Sequence, residues 1–293
     1  MDRTVAGLVC MLALLLAGCN DVKSPKNSTA NTPKVIEPAT SSNQTPPSQV
    51  KWSPPAKPDA QKILSEAQSD TMTGHYEVAL AKHVWFYYDV LKIEPAMYGV
   101  RLSFALGYWK QLADVYPPAK VELIKARDEA EKKVTNGENI VPSFHDLVSI
   151  NSVLGEHQRT VTLFKTLEKQ NANAASQVFD LARPDLIKAG EIKLCSKYVD
   201  PKADYSRMVA LYHENERMAG DPRFGEQHKA FGQHNFSNGV ATLVALLAVS
   251  DRKSDAERIA ADAKKVWADE DFAAELDKAL KGRVPEPWPP SIN

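Results

Sequence analysis

Cysteine and histidine have the widest chemical scope of any residues in this chain, and their spacing argues against catalysis. His213-Glu214 opens like the zinc-peptidase helix pattern His-Glu-x-x-His, but Arg217 stands where the second histidine would be. His228 and His234 are six residues apart, which puts them on different faces of a helix, so only a loop could bring them to one zinc or copper ion with His213. His75 and His83, eight apart, would be separated by about 12 Å along a helix, too far for one ion to bridge. Cys195 has no histidine beside it and occupies a small-residue slot in a helical stretch, so it reads as a packed thiol. Nucleophile elbows, phosphate loops and paired Cys-x-x-Cys are missing. Acidic runs such as Asp128-Glu129-Glu131 are interleaved with Lys132 and Lys133, as on a solvated helix face. No catalytic residue, metal ligand or cofactor is expected.

The elements around these residues read as helix almost throughout. Runs of Ala, Leu, Glu, Lys and Gln place apolar residues three and four apart, and β-type alternation is absent. The fold class is therefore all-α. Trp85-Phe86-Tyr87-Tyr88 lies in a stretch, His83 to Ile93, that is apolar nearly all round, so this helix is buried on several sides or offers aromatics to a partner. Acidic and basic residues nearly balance, with a formal net charge of −1, which gives no reason to expect nucleic acid.

The N-terminus carries an address. Leu8 to Ala17 is an apolar run too short to cross a bilayer as a helix, preceded by Arg3, as in a secretory signal. Leu16-Ala17-Gly18-Cys19 resembles the lipobox of bacterial lipoproteins. That resemblance implies removal of residues 1–18, with Cys19 diacylated and becoming the first residue of a membrane-tethered chain. Asn20 at the second mature position implies the outer membrane, facing the periplasm. Residues 19–56 then read as a disordered linker, because eight of the 19 prolines fall between Pro25 and Pro58 among Ser, Thr, Asn and Gln. As a flexible coil, Asn20 to Ala56 would average about 30–35 Å end to end. Cleavage leaves Cys19, blocked by lipid, and Cys195, so no intramolecular disulfide is available. Residues 283–293, with Pro285 to Pro290 around Trp288, read as a Pro-rich disordered tail.

Residues 57–282 contain a longer period. Ala67 and Ala79 are twelve apart with Gly74-His75-Tyr76 between them; Gly107 and Ala119 are twelve apart with Tyr116 before the alanine; Ala248 and Ala260 repeat the spacing. Gly155 with Thr160, Phe164 and Leu167, and Gly190 with Cys195 and Val199, give two further turns, although Pro184 should bend or interrupt the helix before Gly190. Tyr205 to Gln233 reads as an insertion. With Gly99-Val100-Arg101-Leu102-Ser103-Phe104-Ala105-Leu106, Tyr116-Pro117, Arg127-Asp128 and Gly190-Glu191, the region resembles a divergent tetratricopeptide-repeat lipoprotein.

The resemblance implies a right-handed α-solenoid of antiparallel helix pairs and a binding platform rather than an enzyme. It also implies that the first helix of each pair lines a concave groove. The groove positions are Phe104, Tyr108 and Gln111, with Arg101 one turn earlier, and His145, Ser149 and Ser152 in the next unit. The expected function is a non-catalytic protein-binding adaptor of the cell envelope, held to the lipid membrane through Cys19, with a protein or peptide partner. The alternative is a lipoprotein that binds a small molecule or glycan in a helix-lined pocket, with Trp85 and Trp109 as stacking platforms.

Overall fold

A computed structural model describes residues 52–221, 223, 225–286 and 288. The signal segment, Cys19 and most of the linker lie outside the described residues, as do Pro287 and residues 289–293. Among the described residues the chain is all-α, with thirteen α-helices and no strand, and no helix is long and apolar enough to cross a membrane. It divides into two compact units, residues 1–120 and 121–293.

The first unit contains α1 (Ala60–Met72), α2 (Tyr76–Ile93), a single 3-10 turn (Pro95–Met97), α3 (Tyr98–Leu102), α4 (Phe104–Val115) and the beginning of α5 (Pro117–Thr135). The Asp59 carboxylate caps α1 by accepting the Lys62 amide at 2.9 Å. Ala67 and Ala79, paired by spacing in the sequence, are both buried on the packed pair α1 and α2. Gly107 departs from the expected tight crossing, since a Cβ built there would meet nothing within 4 Å.

The second unit contains the rest of α5, then α6 (Ile140–Leu154), α7 (His157–Gln170), α8 (Ala172–Lys188), α9 (Ile192–Ser196), α10 (Pro201–Ala219), α11 (Gly225–Ala248), α12 (Lys253–Val266) and α13 (Glu270–Ala279). Helix α8 runs through Pro184 without interruption. The ring forfeits a backbone donor, but Ala175, Val178, Phe179, Ala182 and Leu186 bury one continuous face on both sides of it, which holds the helix together. The stretch read as an insertion forms α10 and the start of α11, two long helices packed side by side. Helix α11 also packs on α9, α12 and α13, and from Val240 to Leu247 every residue but Thr242 is buried. An apolar surface all round is what such a central position requires.

Three of the glycines read as turns share one solution. Gly74, Gly155 and Gly190 have φ of 84°, 71° and 75°, and the next residue's amide donates to a carbonyl five residues back, as in Glu156 to Asn151 at 2.8 Å. This ends each helix and satisfies carbonyls that would otherwise lack donors.

Helices α10 and α11 meet through a seam of small residues seven apart. A Cβ on Gly232 would lie 2.6 Å from Asn215 Cβ, whereas one on Gly239 would touch the Met208 side chain at ordinary distances of 3.6 Å or more. The pairing of 232 with 215 and 239 with 208 makes the two helices antiparallel. Because Asn215 Cβ is fixed to its backbone, Gly232→Ala should destabilise the chain by about 2 kcal/mol, despite alanine's better helix propensity. Gly107→Ala should have the opposite sign, stabilising by roughly 0.5–1 kcal/mol. Urea unfolding of the two variants beside the parent checks both directions.

Candidate functional site

The sequence singles out the aromatic helix of the first unit, and the structure divides its side chains between interior and surface. Phe86 and Val90 are buried with Ala60, Leu64 and Ala105 in one apolar cluster. Trp109, only 1 % exposed, lies under the His83 ring at 6.3 Å with the planes 8° apart, and meets the Tyr87 edge at 5.8 Å. Its indole N–H donates to the Ala119 carbonyl at 3.2 Å, so the whole ring is used internally. Tyr88 remains exposed.

Arg101 goes into this packing rather than out to solvent. It is 5 % exposed, its guanidinium carbon lies 4.8 Å from the Tyr87 ring centre and 5.6 Å from that of Tyr98, and one N–H donates to the Tyr87 carbonyl at 3.4 Å. A desolvated cation between two aromatic faces contributes about 2 kcal/mol. A second buried cation, Lys82, donates to Asp70 at 2.8 Å and Glu66 at 2.9 Å on α1. Burial alone would lower the Lys82 pKa, but the two carboxylates outweigh it and hold the ammonium above its usual value. Trp52, inside the stretch read as linker, lies 6.0 Å from this ammonium and meets Trp85 edge-on at 6.2 Å.

Of the expected groove residues, Phe104, Tyr108 and Gln111 share one face of α4. Positions i, i+4 and i+7 fall within about 60° of each other around a helix, and Val115 at i+11 continues the line. Phe104 is 40 % exposed, Val115 is 56 % exposed, Gln111 is exposed and Tyr108 half-buried, while Ala105, Leu106, Trp109, Leu112 and Ala113 bury the opposite side. The result is an accessible stripe of mixed apolar and hydrogen-bonding character on a firmly packed helix. His145, Ser149 and Ser152 line one face of α6 in the second unit, with Ser152 exposed and the other two half-buried. Val115 was missed in the sequence because it lies at the very end of its helix.

Two of the reactive groups, His83 and Cys195, are enclosed, while His213 and His234 are exposed. Neither nitrogen of the His83 ring has a hydrogen-bond partner, and burial pushes its pKa down to about 4. Burial likewise pushes the Cys195 thiol up to about 11, outweighing the opposing pull of Arg183. His157 Nδ1 lies 2.8 Å from Asp185 Oδ1 and ties α7 to α8. Among the described residues no three His, Cys, Asp or Glu side chains gather as a metal-binding group. His234 lies against Trp288 at 4.8 Å, and His213 against Tyr212 at 5.6 Å.

A half-open cavity of about 130 Å³ occurs in the second unit, with Arg183 and Trp288 among its walls. It is smaller than the roughly 300–1,000 Å³ of common small-molecule sites. Family models, curated proteins and solved structures were compared with the chain, and none of them matches it.

The buried groups make two predictions. Above about pH 6.5, His83 is neutral whether the chain is folded or unfolded. As the pH falls from 6.5 toward 4, the unfolded chain takes up a proton that the folded chain refuses, and stability drops by up to roughly 3 kcal/mol. His83→Leu should flatten that part of a stability profile measured by urea unfolding between pH 7 and 4. Cys195 should react with a thiol reagent at pH 8 at least roughly a hundredfold more slowly in the folded chain than in denaturant; equal rates would show the thiol to be accessible.

Proposed function

We propose that this chain is a lipid-anchored, non-catalytic binding scaffold of the bacterial cell envelope, tethered through Cys19 and presenting the α4 face to a protein or peptide partner. The observation that carries the reading is the stripe Phe104, Tyr108, Gln111 and Val115. It leaves large apolar side chains in solvent beside a hydrogen-bonding amide, while the other side of the helix is locked into the core. A rigid helix face of this composition suits an extended ligand, because little side-chain order is lost on binding. Arg101 serves from beneath, by fixing Tyr87 and Tyr98.

In this reading the helix pairs are units of a divergent, right-handed tetratricopeptide-like solenoid. Support comes from the buried Ala67 and Ala79 and from the shared turn geometry at Gly74, Gly155 and Gly190. The sequence Leu16-Ala17-Gly18-Cys19-Asn20 supports anchoring in the outer membrane, facing the periplasm. A tether raises the concentration of the scaffold at the membrane without any further contact.

Two experiments separate anchor from surface. Cys19→Ser should abolish palmitate incorporation and move the protein out of the membrane fraction; continued membrane retention would sink the anchor. A photo-crosslinking residue placed at Phe104 or Gln111 in intact cells should give one discrete protein adduct that is absent when it replaces the exposed Gln177 of α8. No adduct, or the same adduct from all three positions, would remove the α4 stripe as a partner site.

A further inference from the structure

The C-terminal segment does not leave the second unit where α13 ends. Gly282, at φ 82°, turns the chain, and the Arg283 amide donates to the Lys278 carbonyl at 3.2 Å. A Cβ at Gly282 would lie 2.8 Å from Val249 Cγ1, so this turn needs glycine twice over, for its dihedral and for its space. Val284 then packs against the core of the unit. The Asn238 side-chain amide of α11 donates to the Glu286 carbonyl at 2.6 Å, and the Trp288 ring lies 4.8 Å from His234, with the planes 31° apart. Pro285 and Trp288 form one wall of the cavity described above; Asn235, Asn238 and Thr242 of α11 and Arg183 of α8 supply polar groups to the others.

These contacts follow the chemistry by which proline-rich chains are read. Proline fixes φ near −65° and removes the backbone donor, so such a segment is extended before it binds and its carbonyls need donors. The Asn238 amide supplies a donor to one carbonyl, and the apolar side chains of Ile187, Leu243 and Leu246 line the same cavity as Pro285. Positions 235, 238 and 242 are three and four apart, which aligns them along one face of α11. The sequence Pro285-Glu286-Pro287-Trp288-Pro289-Pro290 is the matching ligand.

We propose that the α11 face carrying Asn235, Asn238 and Thr242 is a docking site for an extended proline-rich segment, and that the chain's own C-terminus from Pro285 occupies it in cis. The site lies in the second unit and is independent of the α4 stripe. Joined to its target by a few residues, the segment acts at an effective concentration in the millimolar range, so a separate ligand of the same kind must displace it.

The test uses the full chain and a labelled synthetic peptide spanning Arg283 to Asn293. Trp288→Ala, at a residue 37 % exposed, should loosen the resident segment and raise the affinity for the peptide roughly tenfold over the parent. Adding Asn238→Ala to that variant should abolish the gain, while circular dichroism confirms an unchanged helical content. Limited proteolysis gives an independent reading: trypsin should cleave after Arg283 slowly in the parent and quickly in Asn238→Ala. Equal peptide affinity for parent and Trp288→Ala, or cleavage after Arg283 as fast in the parent as in Asn238→Ala, would overturn the proposal. Cleavage that slows as protein concentration rises would overturn the cis arrangement, by making the occupant the tail of a second copy.

Discussion

The second unit depends on one helix that has almost no solvent side along its C-terminal third. From Val240 to Leu247, α11 is apolar almost all round and touches α9, α10, α12 and α13. Burying a Leu or Val side chain contributes about 1.5–3 kcal/mol, so a helix that buries on every side is stable only when all its neighbours are in place. The same helix changes character toward its N-terminus, where Gly232 and Gly239 let α10 come close. A single element thus combines bulky packing at one end with close backbone approach at the other. In a strictly linear repeat array each unit rests only on its neighbours and can fray independently. Here α11 gathers α9 to α13 around itself, which favours loss of that region in one transition.

Much of the helical reading could be taken from the sequence because it rested on local constraints. The turns at Gly74, Gly155 and Gly190 required a left-handed residue, and the glycines declared it; Cys195 lay in a run whose spacing demanded a small buried group. The features that were harder to read depend on partners distant in sequence. Residues 205–233 looked like an insertion because Lys, His, Gln and Asn dilute their apolar pattern, yet their packing runs through glycines seven apart, which hydrophobic spacing does not register. Pro184 looked like a break because its penalty is local, while the face that outweighs it belongs to the packed helix. Arg101 looked like a surface cation because nothing nearby in sequence says that Tyr87, fourteen residues earlier, will cover it.

The candidate site follows the same division. The alignment of Phe104, half-buried Tyr108 and Gln111 follows from helical geometry alone once α4 is placed. The part that was not legible is the support beneath them. Trp109, His83, Tyr87 and Arg101 form a stack whose order is set by ring planes and a desolvated guanidinium, and no periodicity encodes those. His83 gains no hydrogen bond there. Its imidazole is tolerated in place of a hydrocarbon only while it stays neutral, so the stack is held by shape and dispersion.

Trp52 has a mechanical consequence. The residue precedes α1 in the chain yet rests on α2, against Trp85 and over the Lys82 ammonium. A pull arriving from the N-terminal side meets this contact before it reaches the Asp59 cap. The ring must be drawn off its neighbours before tension can act on the first turn of α1. An edge-on aromatic pair contributes about 0.5–1.5 kcal/mol, so the leading segment is held to the folded region by a clasp only one side chain wide.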